Sequence, residues 1–74
     1  MEKAKLYKKC FNRIGMTAIE KATMRKGVIN TFSVNEKPDG SFEVTYLISF
    51  DAGEFIRVEP VHESDLVIML GTGL

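Results

Sequence analysis

Few side chains in this sequence carry chemistry. Its one histidine, His62, stands beside Glu63, Ser64 and Asp65, a set that would offer a general base or a metal ligand if the groups converged. Neighbours in sequence rarely converge on one point, and a Ser–His–Asp relay takes its members from separate elements. No second histidine completes a metal site, so His62 reads as an exposed turn residue. Cys10, the one cysteine, excludes an intrachain disulfide and a cysteine-based zinc site. It falls on an apolar helix face, where a thiol behaves as a small hydrophobe; only the adjacent Lys9 would favour its thiolate. Gly71-Thr72-Gly73 lacks the lysine and helix that follow a phosphate loop. Asp51, Glu54, Glu59, Glu63 and Asp65 lack the tight ligand pattern of a calcium loop. The expectation is a non-enzymatic chain with no catalytic residue, metal or cofactor.

The basic residues carry more information. Residues 1–27 hold eight of them, Lys3, Lys5, Lys8, Lys9, Arg13, Lys21, Arg25 and Lys26, against Glu2 and Glu20. Residues 28–74 hold Lys37 and Arg57 against eight acids, so two halves of opposite sign cancel to a net charge of zero. Lys5, Lys8, Lys9, Arg13, Lys21, Arg25 and Lys26 on one side of the fold would form a phosphate-binding patch for a nucleic acid or nucleotide. The competing reading is that the two halves attract each other, within one chain or across a dimer.

These residues must be positioned by a single small domain, since 74 residues bury only about 60–65% of the surface exposed on unfolding. Residues 2–14 read as an amphipathic helix. Leu6, Tyr7, Cys10, Phe11 and Ile14 share one face at spacings of three and four, and Gly15 is its stop. Residues 16–27 fit either a helix opened by a Thr17–Glu20 capping box and ended by Gly27, or a strand at Met16–Lys21 and a turn. From Val28 the signal is β. Val28, Phe32 and Val34 alternate with Ile29, Thr31 and Ser33, and Lys37-Pro38-Asp39-Gly40 forms a turn. Phe42, Val44, Tyr46, Ile48 and Phe50 alternate with Glu43, Thr45 and Ser49, which predicts Val44, Tyr46 and Ile48 buried together. Asp51-Ala52-Gly53 is a hairpin loop, Phe55 to Val58 a strand with Ile56 and Val58 on one face, and Pro60 its end or its edge mark. Leu66–Leu70 reads as a buried last strand and residues 71–74 as a flexible tail.

The order of pieces from Gly15 onward resembles the small SH3-like barrels of the Tudor and KOW type. The residues that carry it are Arg25-Lys26-Gly27-Val28-Ile29, Phe42-Glu43-Val44, Ile48-Ser49-Phe50-Asp51-Ala52-Gly53-Glu54, Val58, and Glu63-Ser64-Asp65-Leu66. The resemblance implies a barrel of four or five strands over about residues 15–70, with Met16–Lys21 as its first strand. Tudor domains that read methylated side chains surround the cation with aromatic faces. This chain has no tryptophan, and Ala22 to Lys26 has no aromatic residue, so only the scaffold carries over.

The expected fold is mainly β within the α+β class, a basic N-terminal helix on a small antiparallel barrel. The expected function is a non-catalytic protein-binding module, an adaptor or stoichiometric inhibitor of the kind found among viral or plasmid accessory proteins. Nucleic-acid or nucleotide binding is the alternative. A homodimer is expected, with the stripe Leu6, Tyr7, Cys10, Phe11 and Ile14 at the contact unless the helix closes its own barrel. No run approaches the roughly 20 apolar residues of a membrane span, and no signal-like stretch follows Met1, so an intracellular, cytoplasmic setting without membrane contact is expected.

Overall fold

The computed structural model describes residues 3–69. Helix α1 (Lys3–Arg13) is followed by strands β1 (Thr17–Glu20), β2 (Lys26–Glu36), β3 (Phe42–Asp51) and β4 (Ile56–His62). A 3-10 turn (Glu63–Asp65) then leads into β5 (Leu66–Ile68). The strands form one antiparallel sheet in the order β4-β3-β2-β1-β5. The fold is α+β, mainly β, as the sequence predicts. Leu70 and the tail 71–74 lie outside the described residues.

Helix α1 ends where Gly15 takes φ 92°, a conformation that costs a residue with a Cβ far more. Its N–H donates to Ile29 O (2.8 Å) and Met16 O accepts from Ile29 N (3.0 Å), so the chain enters the sheet at once. Residues 17–20 are strand, which decides between the two readings of this segment. The capping box does not form; the Glu20 carboxylate instead accepts from Thr23 Oγ1 at 2.7 Å. At the far end of β2 the Lys37–Gly40 turn forms as predicted, closed by Gly40 N to Lys37 O (2.9 Å) and by Asp39 accepting from Ser41.

The core is Cys10, Ala18, Ile29, Val44, Tyr46, Ile48, Phe50, Val61 and Leu66, with Leu6, Met16, Phe32, Val34 and Ile68 packed against it. The alternation in β3 is reproduced residue by residue. Strand β2 differs from expectation: Val28 is exposed and Ile29 buried. The register shifts between Ile29 and Thr31. One extra residue, Asn30, inverts the parity and bends the strand, so Ile29 and Phe32 share the inner face. Strand β5 is also not buried throughout. Leu66 points inward and Val67 is about half exposed, as expected of a strand covered on one side only.

Gly27 lies where β3 closes over the backbone of β2. A Cβ there would stand 2.5 Å from Ile48 Cγ2, 2.6 Å from Ser49 O and 2.9 Å from Phe50 Cδ1. The requirement at this position is a close backbone approach, not a positive φ.

Candidate functional site

Two charged clusters and one apolar face organise the surface. The first cluster centres on Arg25, in the loop after β1. Met24 takes a left-handed φ of 62° and its N–H donates to Glu20 O (2.7 Å), which folds the loop back over the sheet. The Arg25 guanidinium then lies 4.1 Å from the centroid of the Phe50 ring. It donates to Glu20 Oε1 on β1 (2.7 Å) and to Glu59 Oε1 on β4 (2.9 Å). Strands β1 and β4 are not neighbours in the sheet, so this fork, suited by its planarity to carboxylates and aromatic faces, ties the two across the inner side.

Thr23 and Arg25 hold the Glu20 carboxyl below its usual range, and Arg25 does the same for Glu59. The hydrogen bonds that Arg25 donates to Glu59 and then to Glu20 push the guanidinium further up. A carboxyl whose folded pKa lies below its unfolded value stabilises the fold above the unfolded pKa, and that stabilisation is lost as pH falls through the folded one. The melting temperature is therefore expected to fall as pH drops below the ordinary value of 4.5. Arg25→Ala is expected to melt lower at pH 7 and to show a shallower acid decline. Parallel thermal melts from pH 7 to pH 2.5 check both; equal slopes for the two proteins would remove Arg25 from the account.

In the second cluster, Arg13 at the end of α1 donates to Glu63 Oε2 (2.8 Å) and to Tyr46 Oη (3.1 Å). The Tyr46 hydroxyl is 3.3 Å from Glu63 Oε2 and 3.6 Å from Cys10 Sγ. Burial, and then Cys10, push the phenol well above its usual range, so it remains a neutral donor. This knot joins helix, sheet and 3-10 turn.

Apolar side chains gather on the outer face of β2, β3 and β4. The register aligns Thr17, Val28, Ser49 and Val58 across four strands. Val28, Leu47, Phe55, Ile56 and Val58 are all exposed, Ile56 by 66% and Phe55 by 62%. The β3–β4 loop leans over this face, and Val28, Ser49, Asp51, Phe55 and Ile56 line an open groove.

The predicted site residues divide among these features. Of the seven basic residues, Arg13 and Arg25 are held by Glu63 and by Glu20 with Glu59. Lys9 lies 3.9 Å from Glu63, and Lys21 Nζ donates to Ser64 O. Lys5 and Lys8 are exposed on α1, and Lys26 is exposed on β2. Lys9, Arg13 and Lys21 thus all reach the 3-10 turn, at Glu63 and Ser64. Of the helix stripe, Cys10 is fully buried and Leu6 packs on the core, while Tyr7 and Phe11 meet Phe32 edge-on at 5.6 and 5.1 Å. Tyr7, Phe11 and Ile14 stay partly exposed. His62 lies on the outer face, its Nδ1 3.2 Å from Glu43 Oε2.

Sequence reasoning missed the outer apolar face. On β4 the inward positions are Arg57, Glu59 and Val61, opposite Phe50, Ile48 and Tyr46, so the charged residues turn in and Ile56 and Val58 turn out. The alternation was visible; its polarity was not. Among the described residues, no group of three or more His, Cys, Asp or Glu is placed to hold a metal ion, and no helix is long and apolar enough to cross a membrane. Comparison with known protein families, with curated proteins and with solved structures finds no match to this chain.

Proposed function

We propose that this chain is a small protein-binding module of the SH3-like barrel type, acting by docking rather than by catalysis, as an adaptor or stoichiometric inhibitor. The strand order, with β1 between β2 and β5 and a 3-10 turn before the last strand, supports the barrel assignment. The observation that carries the function is the outer face: Val28, Leu47, Phe55, Ile56 and Val58 exposed side by side on consecutive strands and their loop. Scattered apolar residues on a surface are ordinary, whereas a contiguous patch marks an interaction site. The arginines, by contrast, are spent on carboxylates of the same chain, which weighs against a phosphate-binding surface.

Affinity capture from a native lysate tests the reading, with and without nuclease, using wild type and Val58→Asp. The expected result is a protein partner kept after nuclease and lost with Val58→Asp. A partner lost with nuclease and kept by Val58→Asp would transfer the function to the nucleic-acid reading and the exposed Lys5, Lys8 and Lys26. His62→Ala is expected to leave partner binding within about tenfold of wild type, or 1.4 kcal/mol, because His62 is exposed and paired with Glu43. A titration of the purified partner against both proteins checks this.

A further inference from the structure

We infer that the hollow between α1 and β5 binds the carboxyl-terminal end of an extended peptide whose last side chain is apolar. The site lies apart from the outer face of β2, β3 and β4 and goes beyond the reading of that face. Lys9, Arg13, Glu63, Leu66 and Ile68 line a hollow of about 350 Å³, at the lower end of the roughly 300–1,000 Å³ usual for a binding pocket.

Recognition of a carboxylate follows from Arg13. Both of its bonds, to Glu63 Oε2 at 2.8 Å and to Tyr46 Oη at 3.1 Å, are donated by Nη1. Among the described residues Nε and Nη2 have no acceptor, and no buried side-chain nitrogen or oxygen lacks a partner. Those two nitrogens are therefore open to solvent. Together they form one edge of the guanidinium plane, the fork that grips a carboxylate with two parallel bonds. Lys9, half exposed and 3.9 Å from Glu63, adds a second cation. Two cations against one acid leave one positive charge unmatched at the hollow, which suits a single carboxylate rather than a run of phosphates.

The rest of the peptide is selected by β5, an edge of the sheet. Met69 N–H donates to Thr17 O, and Asp65 O accepts from Lys21 N–H. Asp65, Val67 and Met69 thus bond towards β1, and Leu66 and Ile68 turn their N–H and C=O groups to the open side. Leu66 N–H is taken by Glu63 O in the 3-10 turn. Leu66 O and both groups of Ile68 remain for an added strand. The side chains of the same two residues form the apolar wall of the hollow. Arg13 is bonded to Glu63, at the start of β5, so the carboxylate falls beside Leu66 and the peptide runs antiparallel to β5. The other edge, β4, carries Pro60, which has no N–H to offer.

The test is an amide NMR titration of the full chain with the pentapeptide acetyl-Ser-Val-Thr-Ser-Leu, as the free acid and as the carboxamide. The acid is expected to give saturable shifts at the Leu66 and Ile68 amides and at Arg13 Nε. The carboxamide should bind at least about tenfold more weakly, through loss of the charge-assisted pair. Arg13→Lys keeps a charge at Glu63 but loses the fork, and should weaken the acid by about tenfold. Lys9→Gln should weaken it by about threefold; this half-exposed position keeps the test usable if Arg13→Lys fails to fold. Lys26→Gln, which removes a charge on β2, should leave binding of the acid unchanged. No saturable shift up to about 5 mM acid overturns the proposal. Equal binding of the carboxamide overturns it too, as do shifts gathered at Val28, Phe55 and Ile56 instead. Acetyl-leucine bound as tightly as the pentapeptide would overturn the strand pairing, and the peptide with it. None of these results touches the docking reading of the outer face, which fails separately if Val58→Asp captures the same lysate partner as wild type.

Discussion

Replacing Tyr46 by alanine is expected to destabilise the fold by about 3–5 kcal/mol, the range for removing a fully packed aromatic ring. The ring has no exposed surface and is the largest of the fully buried side chains. Its removal opens a cavity among Cys10, Ile29, Ile48 and Val61 that the bent sheet cannot close. The alanine also strands the polar end of the knot, since Arg13 and Glu63 both reach the hydroxyl. Tyr46→Phe separates the two effects. It keeps the ring and removes one oxygen, leaving the Arg13–Glu63 pair at 2.8 Å in place, and should cost about 1.5–3 kcal/mol, the range for hydrogen bonding to charged groups, since the hydroxyl bonds both Arg13 and Glu63. Urea denaturation of the three proteins reads both numbers. A Tyr46→Ala loss below about 1 kcal/mol would mean that β3 is out of register by one residue, because a slip exchanges the two faces.

Gly27→Val is the second large effect, expected at about 3 kcal/mol or more, the upper end for overpacking a tight core. Gly27→Ala should cost about 1–3 kcal/mol on the same scale. Of the three atoms a Cβ would meet, Ile48 Cγ2 could give way by a side-chain shift, but Ser49 O at 2.6 Å is backbone. The β2–β3 ladder must move to admit any side chain. The movement would spread to Arg25, two residues upstream, whose guanidinium rests on Phe50. Gly27→Ala should therefore also shallow the acid limb described for Arg25→Ala. Chemical denaturation at pH 7 and pH 3 measures both consequences, and a Gly27→Ala protein as stable as wild type would show that β3 leaves room for a side chain at Gly27.

Much of the framework was legible because its signals are local. The spacing by three and four among Leu6, Tyr7, Cys10, Phe11 and Ile14 requires a helix and Gly15 its end. The alternation from Phe42 to Phe50 requires a strand with Tyr46 and Ile48 on the inner side, and Lys37–Gly40 requires a turn. Each follows from the periodicity of one segment or the dihedral range of one residue type, without knowledge of the rest of the chain. The absence of a tryptophan and the single histidine and cysteine likewise limited the chemistry before any geometry was known.

The site belonged to the other class of information. The Asn30 bulge inverts the parity of β2, and a bulge leaves no periodic trace when apolar residues such as Val28 and Ile29 stand on both sides of the slip. Whether β4 turns Ile56 and Val58 inward or outward cannot be read from that strand alone, since either choice satisfies its alternation. Arg25 decides it: with its guanidinium on Phe50 it offers a partner to Glu59, so a carboxylate is tolerated on the inner side and the apolar positions are left to the surface. Two of the basic residues, Arg25 and Arg13, are ion-paired because acids distant in sequence, Glu59 and Glu63, reach them. The sequence alone determined the helix before Gly15, the strand from Phe42 to Phe50 and the Lys37–Gly40 turn, because those follow from neighbours along the chain, while residues 16–27 stayed open between helix and strand until β1 was seen to pair with β2 and β5. Which side of each strand faces the core, which charges remain free and where the apolar patch lies were decided by contacts between residues up to 52 positions apart, and only the tertiary structure contains those.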